Sequence, residues 1–402
     1  MATDGDLERD DDAFEGVDWE GVDGGALAGL ARRDRVALVA ALALAAAFAA
    51  DYLLVPADRP TVTWPLAWNV TQLDWLFVGT LLAVLLYGVW PLAENRRLAA
   101  YYWRRFRRNR LAVASVGYLA VVFLVGTVGP VFLTKPDLAL QQQFQPPVGF
   151  SVDASVPLRC VGEVANGRCH GTLAHPLGTT GDGKDLLVLV VYGMQVSMKV
   201  GLISTLLVVT IGTAVGTVAA YSGGLVDEVL MRYVDVQLVF PAFFLYLLLN
   251  YLFGGSLFMF IVIFGLTGWG GIGRLVRSEA LQRREEEYVR AARSAGANTV
   301  YVIRRHLVPN VSSTVITAAT LLVPGFILFE AALSFLSLGD PTVPSWGQVI
   351  AAGRDDLRTG WWISTVPGLF LFTTILAFNF VGDALRDALD PRSSAGEGGR
   401  EP

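Results

Sequence analysis

The sequence predicts an all-α, polytopic membrane protein, and three observations support this fold class. Of the 402 residues, 53% are hydrophobic and only 17% are charged, and the mean hydropathy is +0.49. A soluble domain usually has a smaller apolar share and a larger charged share. A helix of about 20 apolar residues crosses the hydrocarbon core of a bilayer, and eight stretches of that length occur in the chain. A single soluble globule is therefore excluded.

The predicted transmembrane helices follow one another along the chain. The first has an alternative interpretation as a secretory or twin-arginine signal, because RRDR precedes the apolar run and Ala47-Phe48-Ala49 resembles a cleavage site. A retained helix is favoured, since the segment before it is long and acidic and the apolar run continues to Val55. The predicted spans are 36–55, 73–93, 111–133, 200–220, 236–253, 256–273, 312–333 and 361–382.

The basic residues predict the topology. With both termini in the cytoplasm, 23 of the 31 basic residues lie inside and 8 lie outside, in keeping with the preference of Lys and Arg for the cytoplasmic side. The sequence therefore predicts a multi-pass protein of the cell membrane, surrounded by the lipid bilayer and with no nucleic acid partner. In this topology residues 94–110, which read ENRRLAAYYWRRFRRNR, form a basic cytoplasmic linker.

Both ends of the chain are polar. Residues 1–23 hold ten Asp or Glu and a single basic residue, Arg9. A segment with so much charge of one sign and so few apolar residues does not form a core. Residues 1–35 are therefore predicted to be an acidic, disordered cytoplasmic tail, and residues 393–402 a short disordered C-terminal tail.

A long hydrophilic segment, residues 134–195, is predicted to lie on the outer side. It contains both cysteines of the chain, Cys160 and Cys169, in the compartment where a disulfide persists. Zinc binding by these cysteines with His170 and His175 is the alternative, but their spacing departs from the usual paired-ligand pattern. A disulfide is favoured, and no metal site is predicted.

The same segment contains GTTGDGKD at 178–185, which imitates a phosphate-binding loop. Asp185 stands where such a loop needs Ser or Thr, and no buried strand precedes it. The string is therefore predicted to be a glycine-rich turn that opens an interfacial helix before the fourth span. No cofactor site is predicted in this chain, so an ATP-driven function requires an ATPase on another chain.

A second long hydrophilic segment, residues 274–310, is predicted to lie in the cytoplasm as two helices joined at a glycine corner. Glu279 with Arg283 and Glu286 with Arg290 are favourable i,i+4 pairs for the first helix. The corner exposes a surface with almost no side chain, which another protein can approach closely. Its small residues are Ala291, Ala292, Ala295, Gly296 and Ala297.

This corner resembles the coupling motif of ATP-binding-cassette importer permeases, which reads Glu-Ala-Ala, three residues, Gly, nine residues and Ile-x-Leu-Pro. Ala291, Ala292 and Gly296 match the motif, whereas Arg290 replaces its glutamate and Val308 its leucine. The missing glutamate means that no salt bridge from that position carries over. The resemblance implies docking on an ATPase through Tyr288, Arg290, Ala291, Ala292, Ala295, Gly296, Ala297 and Pro309.

Four further segments resemble the C-type permease subunit of dipeptide, oligopeptide and nickel importers: HPLGTTGDGKDLL, AYSGGLVDEVLMRYVDVQLVFPAF, EAALSFLSLGDPTVPSWGQVIAAGRD and AFNFVGDALRDALDPR. The resemblance extends from about residue 175 to residue 392. It implies a six-helix permease core at 111–392, with an outer loop at 134–195 and a coupling loop at 274–310. Two additional helices at 36–93 precede that core.

The resemblance also implies partners and a function. Such a permease works with a second homologous permease, two cytoplasmic ABC ATPase subunits and an extracellular substrate-binding protein. It forms half of a translocation path, here for di- or oligopeptides, and is not an enzyme. Nickel and oligosaccharide import are the alternatives. A stand-alone secondary transporter is disfavoured, because the ionisable residues cluster at the ends of the predicted spans.

Polar residues at membrane depth are the candidates for the translocation path, because their burial in lipid is unfavourable. For Glu330, a position in the path and a contact between helices are equally compatible with the sequence. The glycines of the spans favour close helix packing. The four path candidates are Gln237, Asn250, Glu330 and Asn379.

Overall fold

The structure, a computed structural model, describes residues 32–55, 61 and 70–389. Most of the predicted acidic tail and the whole of the predicted C-terminal tail lie outside these residues. The described chain is almost entirely helical. The helices are α1 (Arg32–Leu54), α2 (Gln72–Val84), α3 (Trp90–Glu94), α4 (Arg96–Phe106), α5 (Arg110–Phe132), α6 (Leu186–Ser222), α7 (Gly224–Val239), α8 (Ala242–Phe253), α9 (Leu257–Thr267), α10 (Gly270–Arg284), α11 (Glu287–Ser294), α12 (Thr299–Val302), α13 (Val308–Phe335), α14 (Trp346–Ala352) and α15 (Trp362–Leu389).

The predicted all-α, polytopic fold class is confirmed. Within the described residues, seven helical segments are long and apolar enough to cross a membrane, and the bent pair α7–α8 could supply an eighth span. Two of these segments consist of consecutive helices that a π-helix connects. The π-helix Leu85–Val89 links α2 to α3, and the π-helix Ile303–Leu307 links α12 to α13. The seven segments are Arg32–Leu53, Gln72–Glu94, Arg110–Phe132, Leu186–Ser222, Leu257–Arg284, Thr299–Phe335 and Trp362–Leu389.

Helix α6 is longer than the fourth span drawn from the sequence. It runs without interruption for 37 residues from Leu186 to Ser222, so the expected interfacial helix and the expected span are one helix. The Asp185 carboxylate starts α6 by accepting hydrogen bonds from the amides of Leu187 and Val188 at 2.8 and 3.3 Å. No proline follows within α6, which is why the helix continues from the outer segment into the membrane.

The fifth span drawn from the sequence, residues 236–253, is broken in the structure. Helix α7 ends at Val239 and α8 begins at Ala242, with a bend of 65° between them. Pro241 causes the break, because it lacks an amide hydrogen and keeps the preceding residue out of the helical conformation. Accordingly, Phe240 is extended, with φ −66° and ψ 126°.

The core is arranged around α6, which packs against α5, α9, α10 and α13. The short helix α14 also reaches α6 and carries the fully buried Trp346. The indole Nε1 of Trp346 donates a hydrogen bond to the Val190 carbonyl at 3.1 Å. This contact requires a glycine at position 193, because a Cβ there would lie 2.2 Å from Trp346 Cδ1.

A three-stranded antiparallel sheet lies in the outer segment, in the order β1-β3-β2. Its strands are β1 (Ser151–Asp153), β2 (Val164–Ala165) and β3 (Arg168–His170). The centre of β3 is Cys169, which faces Val152 on one side and Val164 on the other. A small sheet of this size needs support from outside its own strands.

The Cys160–Cys169 disulfide supplies part of that support. The two residues are bonded in the structure, with their Cα atoms 5.8 Å apart, and Cys169 is fully buried. The buried Gln145 side chain holds the same segment, since it accepts a hydrogen bond from the Val161 amide at 2.9 Å and donates one to the Arg159 carbonyl at 2.7 Å. Bonded to each other, the cysteines offer no thiolate for zinc.

The two additional N-terminal spans, α1 and α2–α3, pack beside the core. Where α1 ends and α2 begins, Trp75 Nε1 donates a hydrogen bond to Asp51 Oδ2 at 2.8 Å and so joins α2 to α1. The ring of Phe77 lies 6.2 Å from that of Phe123 on α5. Helix α1 has no buried residue in its apolar window, so it contacts the rest of the chain only along one edge.

An ion pair attaches α2 to the central helix. Lys199 Nζ on α6 lies 2.6 Å from Asp74 Oδ1 on α2, and the two side chains are only 11% and 8% exposed. Asp74 also caps its own helix, because its carboxylate accepts hydrogen bonds from the Thr71 amide and hydroxyl at 2.8 and 2.7 Å. A buried charge that loses its partner is strongly unfavourable.

We predict that Asp74→Ala lowers the free energy of unfolding by about 3–5 kcal/mol, because it leaves the Lys199 ammonium buried and unpaired. Adding Lys199→Met should restore most of this loss, since no buried charge then remains. Unfolding in mixed detergent micelles, followed by circular dichroism, measures the two variants. The lost helix cap affects both of them equally, so equal stabilities of the single and double variants would show that the ion pair contributes nothing.

We also predict that the disulfide forms in the cell and supports the outer sheet. In native membranes, Cys160 and Cys169 should resist alkylation until a reductant is added, and mass spectrometry should find their peptides linked. Replacing both with Ser should destabilise the outer segment by about 2–3 kcal/mol, as expected for a short closed loop. Hydrogen exchange at the sheet amides measures this effect. Free thiols at both positions in untreated membranes would contradict the prediction.

Candidate functional site

The coupling loop, residues 274–310, comprises the end of α10, then α11, α12 and the π-helix that leads into α13. The single first helix expected from the sequence is interrupted, because Glu286 is extended with φ −66° and ψ 146° and lies outside both α10 and α11. As a result, Arg290 pairs with Glu285 at 2.9 Å, so the expected pairing of Arg290 with Glu286 is wrong. The expected pair of Arg283 with Glu279 is present at 2.8 Å.

The corner is built by one glycine and one asparagine. Gly296 has φ +85°, its amide donates to the Arg293 carbonyl at 2.9 Å, and the Ala297 amide donates to the Ala292 carbonyl at 3.0 Å. This pair of hydrogen bonds is a Schellman motif, whose left-handed position favours glycine. Asn298 then caps α12 through its Oδ1, which accepts from the Tyr301 amide at 2.8 Å. The sequence Gly-Ala-Asn thus ends one helix and begins the next.

The surface of the corner that faces away from the rest of the protein is open. A Cβ built on Gly296 would meet no atom within 4 Å, and the Tyr288 ring is 40% exposed. The structure therefore brings the small residues of the corner together on one accessible surface of this chain. Of the eight residues implied by the resemblance, Ala292 and Ala297 are half-buried, and the exposed ones are Tyr288, Arg290, Ala291, Ala295, Gly296 and Pro309.

The opposite side of the corner packs against the rest of the protein. Val289 of α11, Val302 of α12 and Leu307 of the π-helix are all fully buried. The His306 ring lies between two tyrosines, with its centroid 5.8 Å from those of Tyr288 and Tyr301. These contacts hold α11 and α12 in a fixed relation, so the corner is positioned by packing as well as by its turn.

Two arginines connect the loop to the end of α6. Arg284 Nη1 donates a hydrogen bond to the Ala220 carbonyl at 2.9 Å, and the Arg293 guanidinium lies 4.5 Å from the centroid of the Tyr221 ring. Sequence reasoning missed both contacts, because the partners are more than 60 residues apart and no local pattern indicates them. The arginines cover the carbonyl end of α6, where cations are favourable.

Further ion pairs fix the positions of charged side chains in and beside the loop. Hydrogen bonds from Arg290 and Arg284 keep the pKa of the Glu285 carboxyl below its ordinary value, so Glu285 stays ionised between the two arginines. Arg277 makes a two-pronged contact with Asp227 at the start of α7. Through these residues, α10, α7 and the loop are tied together on one side of the membrane.

The contact between α10 and α6 is unusually close. A Cβ on Gly216 of α6 would lie 2.6 Å from the Gly273 carbonyl oxygen, and a Cβ on Gly212 would lie 2.8 Å from Ile272 Cγ2. The two helices therefore approach backbone to backbone, as expected for small residues in a membrane. A displacement of α10 cannot be absorbed by flexible side chains at this crossing.

The structure separates two of the four path candidates from the others. Gln237 at the end of α7 donates to the Leu266 carbonyl at 3.2 Å, and its buried Oε1 has no hydrogen-bond partner in the described part of the chain. Asn379 on α15 donates to the Ile375 carbonyl of its own helix at 2.9 Å. In the described residues, neither side chain is hydrogen-bonded to another path candidate.

Asn250 contacts the segment that follows α13, whereas Glu330 makes its hydrogen bond within α13. Asn250 Nδ2 and the Tyr246 hydroxyl both donate to the Leu338 carbonyl at 2.6 Å. Glu330 is 4% exposed, and its Oε1 accepts from the Ser334 hydroxyl at 2.6 Å. This hydrogen bond lies within α13, so both alternatives that the sequence left for Glu330 stay open. The residues described contain no cluster of three or more metal-ligating side chains.

Two family models match the chain. Residues 212–395 match the binding-protein-dependent transport system inner membrane component. Residues 98–147 match the N-terminal transmembrane domain of oligopeptide transport permease C. Between them these matches include α5 and the whole of the coupling loop. Neither match reaches α1, α2 or α3.

Several curated relatives are similar over most of their length. The oligopeptide transport system permease protein OppC of Haemophilus influenzae is 36% identical over 300 residues, which are 74% of this chain and 90% of that protein. OppC of Escherichia coli is 36% identical over 74% of this chain and 93% of that protein. The dipeptide transport system permease protein DppC of Bacillus subtilis is 35% identical over 72% of this chain and 84% of that protein.

A solved inward-facing structure of the MetNI methionine ABC transporter is similar at 18% identity, with a TM-score of 0.42, over 51% of this chain and 98% of that chain. The family assignment depends instead on the sequence matches. Relatives with more than a third of their residues identical, over nine-tenths of their own length, establish common descent. This chain therefore belongs to the family of binding-protein-dependent transport system inner membrane components.

Proposed function

We propose that this chain is the C-type permease subunit of an ATP-driven importer of di- and oligopeptides, and that it forms half of the translocation path. The open alanine-glycine surface of the coupling loop carries this proposal. It projects from a packed base, is free of bulky side chains around Gly296, and belongs to a chain whose relatives are named as peptide permeases. The chain itself binds no ATP and catalyses no reaction.

The loop transmits force in the following way. A groove on an ATPase subunit closes around the corner, where the absence of side chains allows contact with the backbone. Movement of the ATPase shifts α11 and α10 together, because Val289 and the Glu285 ion pairs hold them to the loop. The close crossing at Gly216 passes this shift to α6. Packed helices move as rigid bodies and switch between discrete arrangements.

Helix α6 carries the movement across the membrane. Its 37 residues extend about 55 Å at the ordinary rise of an α-helix. The inner end receives Arg284 and Arg293 from the loop, and the outer part receives Trp346 from α14. A change at the loop therefore reaches the outer side without crossing a flexible connection.

The complete transporter, in this proposal, contains a second homologous permease, two cytoplasmic ABC ATPase subunits and an extracellular substrate-binding protein. Both termini lie in the cytoplasm, which places the coupling loop on the side where ATP is available. The disulfide-bonded sheet then lies outside, on the side from which the binding protein delivers its cargo. Selectivity for the cargo belongs largely to that binding protein.

We predict that Gly296→Trp uncouples the permease from its ATPase and leaves membrane insertion intact. Because the bulky side chain blocks a docking surface, peptide uptake should fall about tenfold or more. Uptake of a labelled tripeptide and the ATPase activity of the purified complex measure the effect. Gly296→Asn is the control, since Asn tolerates a positive φ and remains small. Gly149→Trp controls for a bulky residue at an equally open position with φ +85° on the outer side. Normal uptake by a well-expressed Gly296→Trp variant would rule out docking at this surface.

The peptide cargo requires a separate test. In cells without this chain, uptake of labelled di- and tripeptides should fall to background and return when the chain is expressed again. Uptake of nickel ions and of short oligosaccharides should not change. Restored nickel or oligosaccharide uptake without peptide uptake would assign a different cargo to the same permease.

A further inference from the structure

Helix α4 (Arg96–Phe106) lies in the short connection between two membrane-spanning segments. The segment before it ends at Glu94, and the segment after it begins at Arg110. Residues 95–109 are the whole connection, so α4 cannot move away from the face of the membrane at which both segments end. The short connection therefore keeps α4 beside the membrane surface.

The helix has two different sides. At 100° per residue, Arg96, Arg97 and Arg104 share one side, and Leu98, Ala99, Tyr102 and Phe106 share the other, at whose edge Arg105 lies beside Leu98. Phe106 is buried against Ala112 of α5 and Ala384 of α15, and this contact attaches the end of α4 to the core. The separation of basic and apolar sides is typical of a helix that lies in a membrane interface.

The protein core covers Phe106 and partly covers Ala99 and Tyr102, so Leu98 is the exposed residue of the apolar side. Trp103, which stacks on Phe106 at 5.9 Å, is 51% exposed, and Leu98 is 46% exposed. Tyr101, which is 39% exposed, lies at one boundary between the two sides, and Trp103 lies at the other boundary, next to Arg96. Trp and Tyr at such positions are favourable at the level of the lipid headgroups, where the ring is partly in an apolar and partly in a wet environment.

The basic side carries charge that the described chain does not neutralise. Residues 94–110 hold seven arginines and one acidic residue, Glu94, whose carboxylate accepts a hydrogen bond from Trp90 Nε1 at 2.7 Å. The described residues provide no ion-pair partner for five of the seven arginines. These five are Arg96, Arg97, Arg104, Arg107 and Arg110.

We propose that α4 is a binding site for anionic phospholipids in the leaflet that it lies on. The guanidinium groups of Arg96, Arg97 and Arg104 bind headgroup phosphates, whose geometry matches their paired donors. Trp103 and Leu98 enter the headgroup region beside them. A basic segment that served only to set the topology would need neither the separation of the two sides nor the exposed aromatic residues.

This site is independent of the proposed import function, because its ligand is the surrounding lipid and its readout does not require transport. Each arginine at an anionic surface raises binding about fivefold. Four arginines on or next to α4, which have no ion-pair partner among the residues that the structure describes, should therefore enrich anionic lipid around the protein well above its share in the bilayer.

The experiment uses the full chain, reconstituted in nanodiscs of equal parts phosphatidylglycerol and phosphatidylcholine. Lipids that remain bound after transfer to detergent are counted by native mass spectrometry. We expect phosphatidylglycerol to be enriched on the wild-type chain. The quadruple variant Arg96→Gln, Arg97→Gln, Arg104→Gln and Arg107→Gln should lower the ratio of bound phosphatidylglycerol to bound phosphatidylcholine about tenfold or more.

Three controls make the result decisive. The same four positions changed to Lys keep the charge and should retain most of the enrichment, which shows that a loss in the Gln variant comes from charge. The double variant Arg354→Gln and Arg358→Gln removes two arginines from another segment and should bind lipid as the wild type does. A thermal melt of each variant shows whether it is folded.

The competing occupant is the acidic segment 1–23 of the same chain. A variant with its ten Asp and Glu changed to Asn and Gln tests this directly. Unchanged phosphatidylglycerol enrichment in that variant supports the lipid site. Enrichment that appears only after these acids are neutralised would assign the arginines to the acidic segment instead. Enrichment that survives the quadruple Gln variant, or that is absent from the folded wild-type chain, would overturn the proposal.

Discussion

The continuity of α6 is the constraint on which the rest of this structure depends. A helix of 37 residues without a proline satisfies its own backbone hydrogen bonds along its whole length. The neighbouring helices therefore need not complete the hydrogen bonds of the α6 backbone, and they contact α6 by close packing against its surface. Gly216 allows α10 to contact it on one side of the membrane, and Gly193 allows Trp346 of α14 to contact it towards the other. The coupling loop and the outer segment are thus connected through one rigid body.

Sequence reasoning succeeded where a local physical rule determines the structure. Long apolar runs predicted the spans, because only a helix of that length satisfies its backbone inside a membrane. Gly296 predicted the corner of the coupling loop, because a helix end commonly needs a left-handed residue. The fifth span was drawn as one helix although Pro241 stands inside it, and here the local rule for proline outweighed the apolar pattern.

The rest depended on contacts between distant parts of the chain. The pairing of Arg290 with Glu285 could not be read from spacing, because the extended residue Glu286 changes which carboxylate faces the arginine. The Arg284 contact with Ala220 and the Lys199 pair with Asp74 join residues that only the folded topology brings together. For Glu330, the sequence indicates that burial of the carboxyl group is unfavourable. It does not show that the Ser334 hydroxyl donates a hydrogen bond to that group.

The pair of Asp74 with Lys199 has a consequence for how the protein is made. Asp74 leaves the ribosome before Lys199, with α4 and α5 and the whole outer sheet between them in the order of synthesis. The carboxylate therefore reaches the bilayer without its counter-ion, and α6 arrives later with an ammonium group that needs one. The ion pair between α2 and α6 can therefore form only once α6 has inserted, after α4, α5 and the outer sheet have been synthesised.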